Sequence, residues 1–162
     1  MEMAEFWRII ESAKLASPSS DERPEALRAA LGALAPDEIQ AFQELYIAKI
    51  SEAYTWPLWG AAYIMNGGCS DDCFDYFRDW LISEGQTVYE AALKDPETLA
   101  DLPRAQESEL EEFRYVAQEV YEGKLGRAME PSYPPLQSQP AGEAWDEETV
   151  DKLFPKLSGK YW

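Results

Sequence analysis

The sequence predicts an all-α, single-domain orthogonal bundle of about six to eight helices, with an extended proline-rich strap towards its C-terminal end. Three observations carry this. Apolar residues recur at helical spacing along most of the chain, no stretch alternates apolar and polar residues between hairpin turn signals, and Pro131, Pro134, Pro135 and Pro140 gather in one short segment. A chain of 162 residues, 46% of them hydrophobic and including six Trp, nine Tyr and six Phe, is long and apolar enough to bury a core without disulfides or metals.

The first helix is expected from about Met3 to Ala16, with Phe6, Trp7, Ile9, Ile10, Ala13 and Leu15 on its apolar face and Ser17-Pro18-Ser19-Ser20 ending it. Asp21 opens a second helix that carries Ala26, Leu27, Ala30 and Leu31. Pro36, followed by Asp37 and Glu38, starts a third, in which Ile39, Phe42, Leu45, Tyr46, Ile50 and Ala53 form a wide apolar stripe. Thr55-Trp56-Pro57 breaks the pattern. Leu58 to Met65 is apolar nearly all round and is expected to be the buried central element, ended by Asn66-Gly67-Gly68 as a C-terminal glycine cap.

A fifth helix is expected over Ser70 to Ser83, and a sixth, after Gly85, carries Val88, Tyr89, Ala92 and Leu93. Pro96 nucleates a short turn through Leu99 and Leu102, and an amphipathic helix follows from Ser108 to Gly123. Residues 1–125 thus form a helical domain. Residues 126–145 read as a linker packed on the surface, anchored by Tyr133 and Leu136, and residues 146–162 as a short helix from Asp146 to Leu153 with an aromatic end. Trp145, Tyr161 and Trp162 are expected to pin this end to the core.

Charge and missing residue types narrow the function. Thirty-one acidic against fourteen basic residues give a net charge of −17, which disfavours nucleic acid and anionic membrane surfaces as partners and suits a basic protein. Ordinary solubility explains the same charge first. The start Met1-Glu2-Met3-Ala4-Glu5 lacks the basic and apolar regions of a signal peptide, and Trp56 to Met65 is too short to span a bilayer, so a cytoplasmic location is expected. Cys69 and Cys73 are expected as free thiols. The chain has no histidine, which excludes Ser-His-Asp, Cys-His and HExxH chemistry. There is no P-loop or GxGxxG fingerprint, and no cofactor is expected.

The most distinctive stretch runs from Trp56 to Ile82. Within it Gly67, Gly68, Ser70, Asp71, Asp72, Phe74, Phe77, Trp80 and Leu81 spell Gly-Gly-x-Ser-Asp-Asp-x-Phe-x-x-Phe-x-x-Trp-Leu. On these residues the chain resembles an uncharacterised bacterial family, domain of unknown function number 4240. Phe6-Trp7 and Asp95-Pro96-Glu97-Thr98-Leu99 also fit it, and the resemblance covers roughly the first 120 residues. It implies membership without implying an activity, so no catalytic residue is carried over. The family leaves position 73 open, which argues against a role for the cysteine pair.

Read from the residues themselves, Ser70 or Asp72 caps the fifth helix, Asp71 and Asp72 favour the positive end of its dipole, and Gly67-Gly68 permits positive φ in the turn. A functional reading places a site at this turn, formed by Trp59, Gly67, Gly68, Ser70, Asp71, Asp72, Asp75 and Arg78. Asp71, Asp75 and Asp79 fall at successive i,i+4 positions and would form an acid ridge able to ligate a hard cation, although Arg78 is better placed to pair with Asp75. Three classes follow, in this order: an interaction or regulatory module for a basic protein, a carboxylate enzyme or metal site around Asp71, Asp72 and Asp75, and a small-molecule sensor at the Gly67-Gly68 turn.

Overall fold

The computed structural model describes residues 1–104, 108–131 and 137–162. Tyr133 and Leu136, the expected anchors of the linker, lie outside the described residues. Nine α-helices occur among the described residues: α1 Met3–Leu15, α2 Arg23–Gly32, α3 Pro36–Glu52, α4 Trp56–Met65, α5 Asp71–Ser83, α6 Gln86–Lys94, α7 Val116–Leu125, α8 Val150–Leu153 and α9 Pro155–Tyr161. Short 3-10 turns precede α2 (Ser20–Glu22), follow α6 (Pro96–Asp101) and lead into α7 (Glu111–Tyr115). The class is all-α, as the periodicity requires. No strand is present among the described residues beyond one isolated bridge, between Thr55 and Ala141.

Helix α1 packs most extensively on α2, and α3 on α7, while α5 touches α1, α3, α4 and α6. Two aromatic ladders run through this arrangement. One passes from Trp7 through Phe6, Phe42 and Tyr46 to Phe113, with centroid spacings of 5.0, 4.9, 6.3 and 6.0 Å. The other passes from Trp56 through Trp59, Phe74 and Phe77 to Trp80, at 5.2, 5.2, 6.3 and 5.5 Å. Each ring pair adds attraction beyond the area it buries, so the ladders tie sequence-distant helices together.

The expected central element is corrected. In α4, Leu58, Gly60, Ala61, Ala62 and Ile64 are buried, but Trp56, Trp59, Tyr63 and Met65 are half-buried. The element enclosed on all sides is the second half of α5, where every residue from Phe77 to Ser83 is buried. Arg78, Asp79 and Ser83 are polar, yet each is buried with a hydrogen-bonding partner, which is what permits polar groups inside.

Other boundaries move for local reasons. Thr55-Trp56-Pro57 does not break a helix but starts one: the Thr55 hydroxyl accepts the Leu58 N–H at 3.2 Å, and Pro57 lies in the first turn, where its missing donor is harmless. The amphipathic helix expected from Ser108 begins as the 3-10 turn at Glu111 and runs to Leu125, where Gly126 at φ 66° ends it. Only Val150–Leu153 of the helix expected from Asp146 is α-helical. The short helix expected to end at Leu153, close to Pro155, is not the last: Pro155 begins α9. The Glu97 carboxylate, reaching from the turn after α6, accepts the N–H groups of Lys156 at 2.9 Å and Leu157 at 3.0 Å. A side chain distant in sequence thus supplies the cap that the local sequence lacks.

The C-terminal segment crosses α4. Ala141 exchanges backbone hydrogen bonds with Tyr54 and Trp56, both at 2.9 Å. The Trp145 indole N–H then donates to the Trp56 carbonyl at 2.7 Å. Gly60 makes this approach possible, because a Cβ there would meet Phe154 at 2.8 Å and the Trp145 indole nitrogen at 3.1 Å. Trp145 is therefore a pin. Trp162 is not one in the same sense: its ring reaches Tyr63 at 5.8 Å but is 57% exposed.

Candidate functional site

The turn between α4 and α5 is built by its two glycines. Gly67 (φ 66°) and Gly68 (φ 115°) direct their N–H groups back to the Ile64 and Tyr63 carbonyls, at 3.4 and 2.7 Å. This is the paired closure of a Schellman cap, and it requires positive φ just past the helix end. Trp59 fastens the outgoing chain by donating its indole N–H to the Cys69 carbonyl at 3.0 Å. Ser70 caps α5, its hydroxyl accepting the Cys73 N–H at 3.3 Å.

Cys69 and Cys73 are not free thiols. They form a disulfide with a Cα–Cα distance of 5.2 Å. Cys69 lies outside the helix, so the glycine turn, rather than helical geometry, brings it alongside Cys73 in the first turn of α5; a four-residue spacing read as helix does not reveal this.

The acid ridge is also absent. Asp71 and Asp72 are exposed in the first turn of α5, but Asp79 is fully buried and faces α3 and the 3-10 turn before α7. There its carboxylate accepts from the Tyr46 hydroxyl and, at 2.7 Å, from Arg114 Nε. Burial pushes the Asp79 carboxyl up to about 7 against the opposing pull of Arg114, and the same burial carries the Tyr46 phenol well above its ordinary value. Tyr46 and Asp79 are buried and Arg114 bonds to the same carboxylate, so the three form an internal joint between helices.

Arg78 belongs to the same framework. It pairs with Asp75, donates from Nη1 to the Ile50 carbonyl at 2.8 Å, and lies over the Tyr54 and Phe74 rings at 4.7 and 5.0 Å. Burial lowers its affinity for the proton while Asp75 partly restores it. Arg114 Nη2 donates to the Asp75 carbonyl at 3.0 Å, so the two arginines bracket that turn of α5.

Two clefts flank the start of α5. One, of about 420 Å3, is lined by Asn66, Gly68, Cys69, Ser70, Cys73 and Ser108 among others. The Asn66 amide donates to Cys73 Sγ at 3.7 Å and accepts from the Ser108 hydroxyl at 2.8 Å. The other, of about 370 Å3, is lined by Tyr54, Trp56, Trp59 and Phe74, by the carboxylates Asp71 and Asp75, and by Ser138, Gln139 and Pro140 of the crossing segment. The structure thus brings Trp59, Asp71 and Asp75 together, places Gly68 and Ser70 at the other cleft, and leaves Gly67, Asp72 and Arg78 lining neither.

Sequence reasoning missed Tyr54, Trp56 and residues 138–140. The Thr-x-Pro helix-start pattern at Thr55 could have located Trp56, whereas nothing local marks residues 138–140. Chemically, the second cleft offers aromatic rings beside two carboxylates, an environment suited to a cation. Among the described residues no group of three His, Cys, Asp or Glu side chains gathers as a metal site, and no helix is long and apolar enough to cross a membrane.

No curated protein and no solved structure matches the chain. A family model described as "Protein of unknown function (DUF4240)" matches residues 1–123, most of the chain including α1 to α6 and the whole Gly67–Leu81 motif, and the chain therefore belongs to that family.

Proposed function

We propose that this protein is a cytoplasmic interaction module that captures a basic segment of another protein, seating a Lys or Arg side chain in the cleft lined by Tyr54, Trp56, Trp59, Asp71 and Asp75. The observation that carries the reading is the stack of half-buried rings beside two carboxylates on a chain of net charge −17. The charge draws a basic segment towards the surface, and the rings and acids give a side-chain cation a specific seat. The protein already uses this chemistry internally, where Arg78 lies on Tyr54 and Phe74 and pairs with Asp75.

The test is fluorescence anisotropy with a short labelled arginine- and lysine-rich peptide, titrated at salt from ~50 to ~500 mM. Affinity should fall steeply with salt, and Trp56→Ala should weaken it by about tenfold or more at fixed salt. Equal binding of an acidic peptide of the same length, or binding of the basic peptide untouched by Trp56→Ala, sinks the proposal.

A further inference from the structure

The largest cleft among those described, about 780 Å3, lies elsewhere, between the end of α1, the start of α2 and the chain following the Pro96–Asp101 turn. It shares no lining residue with the Trp56 cleft. In a chain where acids outnumber bases by more than two to one, its lining reverses the balance: Lys14, Arg23 and Arg104 face Asp21 and Glu84. Glu84 is already shared, at 3.0 Å from Lys14 and 3.2 Å from Arg23. Asp21 is engaged by the Ser19 hydroxyl. Among the described residues one positive charge is left over, in a recess large enough for a small molecule.

Arg23 shows where an anion would go. Its side chain is only 10% exposed, and Nη1 alone is engaged, with the Ser83 hydroxyl at 2.8 Å and with Glu84. Nε is buried with no hydrogen-bond partner, and Nη2 makes no hydrogen bond or ion pair among the described residues. Nε and Nη2 form one edge of the guanidinium fork, the edge that binds a carboxylate through two parallel hydrogen bonds. A buried N–H left unpaired is destabilising, and a carboxylate on this edge would relieve it. Apart from Ser19 and Ser20, the rest of the lining is apolar: Trp80, Leu102, Pro103 and Pro18. Fixed charge at one end and apolar wall at the other define an amphipathic ligand.

We infer that this cleft is a binding site for a small monoanionic carboxylate with an apolar body, held by the free fork edge of Arg23 and by Arg104, with the body against Trp80, Leu102 and Pro103. The site is independent of the basic-segment reading, and failure of either leaves the other standing.

The experiment titrates the 15N-labelled full chain with acetate, isovalerate, phenylacetate and indole-3-acetate, following the backbone amides of Ser19 to Arg23 and the arginine Nε–H signals. Saturable shifts at these signals are expected, with affinity rising by about tenfold or more from acetate to phenylacetate as the apolar body grows. Because Arg104 is exposed, Arg104→Glu should leave the spectrum folded and weaken phenylacetate by about tenfold. Arg23→Lys, which removes the fork, should abolish the Nε response and weaken binding further. The assignment is overturned if none of the four acids gives saturable shifts there, if phenethylamine or inorganic phosphate reproduces them, or if Arg104→Glu binds phenylacetate like the parent chain.

Discussion

The Tyr46 hydroxyl donates a hydrogen bond to Asp79, a carboxyl with no solvent exposure, and so ties the middle of α3 to the core of α5. Burial raises the Asp79 carboxyl from 3.8 to about 7 in the folded chain. The native state therefore holds this proton over a pH range in which the unfolded chain has released it. The resulting stabilisation is complete below about pH 4 and is lost as pH rises through about 7, a swing of no more than about 4 kcal/mol. Urea denaturation of the parent chain and Asp79→Asn across pH 4.5 to 8 measures it. The parent's advantage should shrink as pH rises and level off above neutrality. An advantage that grows with pH would mean that pairing with Arg114 outweighs burial.

The contact of Gly60 with Phe154 and Trp145 makes the seating of the C-terminal segment sensitive to one methyl group. Gly60→Ala should lower stability by about 1–3 kcal/mol, because a Cβ 2.8 Å from the Phe154 ring forces the segment or the helix to shift. Limited proteolysis should cut the variant faster between α7 and α8 than the parent chain. An unchanged cleavage rate and melting temperature would show that the segment is held by other contacts.

The Cys69–Cys73 disulfide closes a very short loop, so its removal should lower stability by no more than about 2 kcal/mol. Thiol titration of the unreduced, denatured protein should find no free thiol, and two after reduction. Two thiols without reductant would mean that the pair is open in the conditions of preparation, as a reducing cytoplasm favours.

Ser70 separates capping from function at the glycine turn. Ser70→Ala removes the acceptor for the Cys73 N–H and should cost about 1 kcal/mol in a denaturation experiment. Basic-peptide affinity at the Trp56 cleft should be unchanged, since Ser70 lines the other cleft. A larger effect on peptide affinity than on stability would place Ser70 in the binding surface.

Arg78 is held by Asp75, the Ile50 carbonyl and two ring faces, contacts that suit a planar guanidinium. Arg78→Lys should therefore destabilise by about 2–4 kcal/mol despite keeping the charge. Calorimetric melting measures this, and a variant within about 0.5 kcal/mol of the parent would show that charge alone suffices at this position.

Sequence by itself determined the helical class, because 3.6-residue periodicity, proline and glycine act within a few residues of where they stand. It also located the α4–α5 turn, narrowed the cap of α5 to Ser70 or Asp72 and gave the pairing of Arg78 with Asp75, all interactions between residues close in the chain. Tertiary structure alone decided which element lies at the centre. Asp79 read as one member of an acid ridge and Arg78 as the partner of Asp75, and only the packed chain brings Tyr46, Arg114 and the Ile50 carbonyl from distant segments to hold them inside. The helix from Pro155 was likewise illegible, because its cap, Glu97, lies 59 residues from Lys156. The two clefts proposed as binding sites were illegible for the same reason. One is walled by residues 138–140 laid across Trp56, and the other joins Arg23 to Trp80 and Arg104, so neither lining is contiguous in sequence. Burial changes the free energy of a charge by more than any local preference, and burial is a property of the packed chain.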